Sequence, residues 1–259
     1  MFLFDKLKNK KYLSKKILGS KQTYIELHNK YKDNKSLITK EIENKTGFNL
    51  NNIFFEELAF HTQVVIKKSD LNYQHGKILY SILREYVQNS NLNFYNIFET
   101  GTARGFSSIC MSRALIDANT NGKIYTVDIL PHDTKMYWNC IDDHDGMKSR
   151  KELLKNWSKE TDNIVFINDS STNFIKKFHI DRIHFAFLDA EHKFNNVIEE
   201  FKYVEKKQLS GDSIFFDDVT PELFPGVVDA VKFIEKEFDY KVQYYISSKQ
   251  RGYALAIKM

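Results

Sequence analysis

From Gly76 onward the apolar residues follow two alternating rhythms. Ile78, Leu79, Ile82, Leu83 and Tyr86 fall three and four apart, the spacing of one helix face. Asn93–Glu99 (NFYNIFE) reads as a strand, and Gly105–Ala118 as the helix after it. Lys123–Ile129 (KIYTVDI), Ile164–Asn168 (IVFIN), Arg182–Leu188 (RIHFAFL) and Asp212–Phe216 (DSIFF) read as four more short strands. Helices are predicted over 148–157, 195–206 and 226–238, and two β-rich runs, 241–246 and 253–258, close the chain around a polar turn. Strands that alternate with amphipathic helices make parallel βαβ units buried on both faces. The last pair has no helix between its members and is expected to form an antiparallel hairpin at one edge. The predicted fold is α/β, a doubly wound seven-stranded sheet, over residues 76–259.

Residues 1–75 are polar, Lys/Asn-rich and weakly periodic, with an apolar island at Ile53–Ile66, and are read as an N-terminal helical extension or cap. Lys6, Lys8, Lys10, Lys11, Lys15 and Lys16 alternate there with Phe2, Leu3, Phe4, Leu7, Leu13, Ile17 and Leu18, a pattern read as a solvated helix or frayed end, with a membrane-surface or anionic-partner helix as the alternative. An apolar share of 42% over 259 residues is enough for a sizeable core and excludes a disordered chain. The formal charge of +4 is spread along the chain and calls for no nucleic acid. No apolar run reaches membrane-spanning length. The two cysteines, Cys110 and Cys140, lack metal-type spacing, so a cytoplasmic setting is the simplest reading. Homo-oligomer formation stays open.

The first strand runs into Phe98-Glu99-Thr100-Gly101-Thr102-Ala103-Arg104-Gly105, with glycines four apart before a helix. The pyrophosphate fingerprint GxGxxG is absent, because Ala103 holds its middle position. A glycine turn without a ligand is the alternative at this point. Asp128 ends the second strand, where an acid can accept both hydroxyls of a ribose. Asp169-Ser170 ends the third; an Asp there can equally cap a helix, as can Ser171.

Two further segments carry acids at strand ends: Asp189-Ala190-Glu191-His192 after the fourth strand and Asp217-Asp218 after the fifth. The carboxyl ends of parallel strands form the ligand crevice of such sheets. Adjacent strands lie about 5 Å apart, so these acids can converge. Converging carboxylates repel unless a cation neutralises them, and hard oxygen ligands suit Mg²⁺, or Mn²⁺ or Ca²⁺. The alternative is that each acid merely ends a turn or caps a helix.

The glycine loop, Asp128 and the closing hairpin together resemble the class I S-adenosylmethionine-dependent methyltransferases. That resemblance implies S-adenosylmethionine as cofactor, with Glu99, Gly101, Thr102, Gly105 and Ser107 around its methionine part. It further implies Asp128 on the ribose, Ile129 against the adenine, and Asp169 and Ser170 as adenine contacts. Asp189, His192 three residues on, and the acidic pair 28 residues after Asp189 are similar to the metal-dependent sugar O-methyltransferases of the mycinamicin and macrocin type. From that likeness Asp189, Asp217 and Asp218 are the metal ligands, and His192 is the base, acting beside Asp189. The expected reaction moves a methyl group to a hydroxyl of a sugar, a nucleotide-linked sugar or a similar small polar metabolite. A catechol-type enzyme, a phosphate- or carboxyl-oxygen methyltransferase, a nicotinamide-dependent oxidoreductase and a non-catalytic cofactor-binding protein are the alternatives. The likeness does not extend to residues 1–75 or to the insert Leu130–Arg150, which is long for a βα connection. Its Tyr137 and Trp138 are read as rings that stack on the acceptor or anchor a surface loop, and Arg104 and Arg251 as contacts for an anionic acceptor.

Overall fold

A computed structural model describes residues 16–32, 36–248 and 251–259. The basic stretch from Lys6 to Lys15 lies outside the described residues. Seven strands form one sheet: β1 (Phe94–Thr100), β2 (Asn121–Asp128), β3 (Ile164–Asn168), β4 (Phe185–Leu188), β5 (Ser213–Phe216), β6 (Tyr240–Ser248) and β7 (Arg251–Lys258). Their order across the sheet is β3-β2-β1-β4-β5-β7-β6. The first five run parallel, while β7 pairs antiparallel with both β5 and β6. The doubly wound sheet and its closing hairpin are those that the periodicity predicts.

Among the described residues, four helices precede the sheet: α1 (Lys21–Tyr31), α2 (Leu37–Thr46), α3 (Asn52–Thr62) and α4 (His75–Ser90). Polar side chains start the first three, since Ser20, Ser36 and Asn51 accept from the amides of Thr23, Thr39 and Phe54. The remaining helices are α5 (Phe106–Asp117), α6 (Arg150–Leu153), α7 (Ser158–Thr161), α8 (Ser171–Lys177), α9 (Phe194–Glu205) and α10 (Pro225–Glu237). The helix predicted over 148–157 is broken into α6, a 3-10 turn at Lys155–Trp157 and α7. None of the predicted helices corresponds to α8, whose seven residues bury only Ser171 and Phe174.

Alternate strand residues feed two cores, as the pleat requires. Tyr95, Ile97, Phe185, Phe187, Phe215 and Tyr253 pack with α4 and α5, and also with Tyr24, Ile42, Phe55 and Leu58 of the N-terminal helices. Phe98, Ala186, Leu188, Ile214 and Phe216 pack on the other face with Phe174 of α8, Phe201 of α9 and Val231 of α10. The N-terminal helices thus share the core of the sheet. No helix among the described residues is long and apolar enough to cross a membrane.

Candidate active site

The carboxyl ends of β1, β2, β4 and β5 converge where the chain changes direction after β1. Gly101 and Gly105 have φ of +93° and +91°, and Ala103 between them has +45°. Only glycine adopts the first two cheaply. Both also sit against neighbours: a Cβ at 101 would lie 2.5 Å from the Asp189 carbonyl oxygen, and one at 105 would lie 2.7 Å from Leu154 Cδ1. The loop is therefore set by close packing on β4 and on the insert.

Glu99 is fully buried beneath this loop. Its carboxylate accepts hydrogen bonds from the hydroxyls of Ser107, Ser108 and Thr126, the last at 2.5 Å. Burial raises its pKa, against the pull of those hydroxyls. The hydroxyls of Thr102 and Thr126 are 2.5 Å apart. These groups brace the loop from inside, so Glu99 and Ser107 face each other under it.

Asp128 sits above. Its two carboxylate oxygens accept from the amides of Ala103 and Leu130, each at 2.7 Å. Each oxygen keeps lone pairs for further donors, which fits the two hydroxyls of a ribose. Asn168 donates from Nδ2 to the carbonyls of Asp128 and Ile129, at 3.2 and 2.9 Å, and so fixes the chain beside the candidate adenine position. Ser170, and neither Asp169 nor Ser171, caps α8 by accepting from Asn173 N at 3.3 Å. Asp169 accepts from Ser170 N at 2.8 Å and from Asn173 Nδ2 at 3.2 Å.

Arg150 completes this cradle, although no sequence motif points to it. It is 1% exposed, donates from Nε to Ala103 O at 2.9 Å and from an NH2 group to Leu130 O at 3.2 Å. Burial lowers its pKa to about 10, with Asp128 and Glu99 opposing. Arg104 is likewise committed, since it donates to the Trp138 carbonyl from Nε at 2.6 Å. Trp138 is 3% exposed and its indole N–H meets Lys148 O at 2.7 Å, so its ring forms the small core of the insert with Met136, Cys140 and Leu153. Of the two readings of Trp138 these contacts support the ring that anchors the insert, and Arg104 is spent on the insert's own backbone. The insert is pinned to the N-terminal segment through Asn139, which bonds Ile66 N, Ile66 O and the Tyr24 hydroxyl.

The acidic side of the crevice follows β4 and β5. Asp189 N bonds Thr100 O at 3.1 Å, and Asp217 N reaches Leu188 O at 3.4 Å, which carries the ladder past the strand ends. Asp218 has φ +56°, and its carboxylate reaches His192 and Arg251. One ligand atom from each of Asp189, His192 and Asp218 lies within 4.8 Å of the others. Oxygen donors with one imidazole suit a hard divalent cation such as Mg²⁺ or Mn²⁺. His192 Nε2 is 3.0 Å from Asp218 Oδ2, and its ring stacks on Phe224 with centroids 4.2 Å apart. Gly226 lets α10 approach that segment, because a Cβ there would lie 2.6 Å from His192 O.

Asp217 adjoins this group. Its Oδ1 accepts from Asp218 N at 2.7 Å and lies 3.4 Å from Arg251, which also reaches Asp218 Oδ1 at 3.4 Å. Burial and then Asp218 push the Asp217 carboxyl up to about 6. Burial and then Asp217 and Asp218 hold the Asp189 carboxyl well above its ordinary range. The hydrogen bond to Asp218 raises the His192 imidazole, which favours its protonated form. The crowded acids raise one another's pKa, and Arg251 offsets part of their charge.

A family model described as a methyltransferase domain matches residues 98–219. Rhamnosyl O-methyltransferases of Mycobacterium tuberculosis and Mycobacterium bovis are 27% identical over 161 residues, 56% of this chain and 58% of theirs. The chain thus spans little more than half the length of the curated relatives it matches. In fold it is similar to the O-methyltransferase TomG from Streptomyces achromogenes, which is involved in tomaymycin synthesis and was solved with S-adenosylmethionine. That likeness has a TM-score of 0.53 at 14% identity, covering 93% of this chain and 99% of the other. An O-methyltransferase from Bacillus cereus with S-adenosylhomocysteine gives 0.50 at 17% identity, covering 92% and 100%. Residues 98–219, with the glycine loop and Asp128, thus match a methyltransferase-domain model, and the chain shares the fold of these O-methyltransferases.

Proposed function

We propose that the protein is an O-methyltransferase that moves the methyl group of S-adenosylmethionine to a hydroxyl of a sugar or similar polar metabolite, with a divalent cation. The observation that carries this reading is the meeting of Asp189, His192 and Asp218 beside the glycine loop. Asp128 and the 101–105 loop would hold the cofactor, with Ile129, Asp169 and Ser170 at its adenine end. Asp189 and Asp218 would hold the cation, with Asp217 and Arg251 balancing charge behind them. The cation supplies Lewis acidity that brings the pKa of a hydroxyl toward neutrality. His192, 39% exposed at its side chain, would take the proton of that hydroxyl at Nδ1, the ring nitrogen that does not face the Asp218 carboxylate. Phe224 fixes the plane of the imidazole and Asp218 its tilt. The Asp189 carbonyl contact with Gly101 ties the two halves, so cofactor and acceptor are held in one frame, and positioning lowers the barrier. A sugar acceptor is favoured over a catechol by the rhamnosyl O-methyltransferase relatives.

Turnover of a methyl rhamnoside with S-adenosylmethionine, measured with Mg²⁺ and with excess chelator, tests this reading. Activity should vanish in chelator and in Asp218→Asn while cofactor affinity persists. Full activity in chelator would remove the cation from the scheme.

A further inference from the structure

Two buried polar atoms next to the carboxylates have no hydrogen-bond partner: His75 Nδ1 and the Tyr253 hydroxyl. Their side chains belong to residues only 8% and 1% exposed. A polar atom removed from water without a replacement bond is costly and calls for an explanation. The proposed cation site uses neither.

The two residues end a ladder of rings on one face of the sheet. His75 stacks on Phe187 (6.2 Å, 17°), Phe187 packs against Phe215 (6.0 Å), and Phe215 stacks on Tyr253 (5.5 Å, 22°). Phe187 and Phe215 are fully buried, so the middle of the ladder is filled core and only its polar ends are left over. Both ends feel the same ion pair, because Arg251 and Asp218 act on His75 and on Tyr253 alike. Arg251 and Tyr253 stand two apart on β7 and so share a face. Gly252 between them admits the Val219 carbonyl, which locks this end of β7 onto the turn that carries Asp218. Lys67, from the segment before α4, lies in the field of the same Arg251, Asp218 and Asp217.

Both groups stay neutral. Burial and then Arg251 push the His75 imidazole down to about 3, and burial and then Asp217 push the Tyr253 phenol upward. A neutral imidazole and a neutral phenol both exchange hydrogen bonds with hydroxyls, while Arg251 disfavours a cationic ligand.

We propose that His75 and Tyr253, which both lie in the field of Arg251, form the acceptor subsite and bind oxygens of the acceptor other than the one methylated. The ligand class is a polyhydroxylated one, a sugar or glycoside. A simple alcohol or a flat diol would leave at least one end of the ladder unpaired. This rests on the O-methyl transfer reading and specifies which residues recognise the acceptor.

Tyr253→Phe and His75→Phe keep the ring ladder and remove only the polar atoms. Acceptor KM with a methyl rhamnoside, S-adenosylmethionine Kd by calorimetry, and Tm without acceptor are measured for both. Each variant should raise acceptor KM by about tenfold, with cofactor Kd unchanged, the loss of one hydrogen bond. Tm without acceptor should be unchanged or higher, since the free protein loses no bond. Wild-type KM in both variants, with a wild-type enzyme that does methylate the rhamnoside, overturns the subsite alone. A Tm loss of several degrees in Tyr253→Phe also overturns it, by revealing a structural partner for the hydroxyl. Methylation of catechol but not of the rhamnoside by the wild type overturns the polyol class together with the sugar reading.

Discussion

The Asp189 carbonyl oxygen lies 2.5 Å from where a Cβ on residue 101 would stand. The glycine loop and the acidic strand end are thus in backbone contact, and glycine is the one residue that permits it. Gly101→Ala adds both this clash and the left-handed strain of an L-residue at φ +93°, at least about 1–2 kcal/mol. Calorimetry should show weakened S-adenosylmethionine binding, and thermal melting a lowered Tm. Wild-type affinity would mean that the loop is not part of the cofactor site.

Arg150 joins the insert to the glycine loop by bonding the carbonyls of Ala103 and Leu130. Arg150→Met leaves both carbonyls without this donor and leaves Asp128 without its buried cation. The expected loss is about 3 kcal/mol of stability, read from urea unfolding. Cofactor Kd should rise with it, since Ala103 also carries the amide that holds Asp128.

Glu200 gives the clearest pH dependence. It is 1% exposed, accepts from the Thr100 hydroxyl at 3.0 Å, and has Oε1 without a partner. Burial raises its pKa from 4.5 to about 7. The folded chain therefore keeps a proton that the unfolded chain loses between those values. Its stabilising protonation is complete below 4.5 and is lost as pH rises toward and through 7. Glu200→Gln should match the wild type near pH 4.5 and exceed it above pH 7, by on the order of 3 kcal/mol. Unfolding curves from pH 5 to 8 that stay parallel for the two proteins would contradict this.

Asn139, at φ +53°, holds the insert to the N-terminal segment by its bonds to Ile66 and Tyr24. Asn139→Gly keeps the backbone shape and removes those bonds. Hydrogen exchange across 132–148 should accelerate by roughly tenfold or more, corresponding to one or two lost hydrogen bonds.

The sheet was legible because strand runs such as KIYTVDI and DSIFF are short, apolar and regularly spaced by amphipathic helices. The acids were legible because Asp128, Asp189, Asp217 and Asp218 end those runs, and strand ends face the crevice. Their division of labour was not. That Asp218 rather than Asp217 meets His192 goes with the left-handed turn at Asp218, and an aspartate carries no mark of that conformation. Arg150 left no signal because its partners are main-chain carbonyls, one of them 47 residues away. Trp138 stayed open because an aromatic ring in a polar insert can stack on a ligand or anchor a loop; its indole N–H and ring close a small core of the insert itself. His75 and Tyr253 come together only through tertiary packing, with Phe187 and Phe215 between them.

The most direct measurement follows the labelled methyl group of S-adenosylmethionine into a methyl rhamnoside in the presence of Mg²⁺, with mass spectrometry of the product. The expected product is a methyl ether, formed with one S-adenosylhomocysteine per ether, and lost in chelator and in Asp218→Asn. Label on nitrogen or sulfur acceptors only, or ether formation that ignores both chelator and Asp218→Asn, would contradict metal-assisted O-methyl transfer.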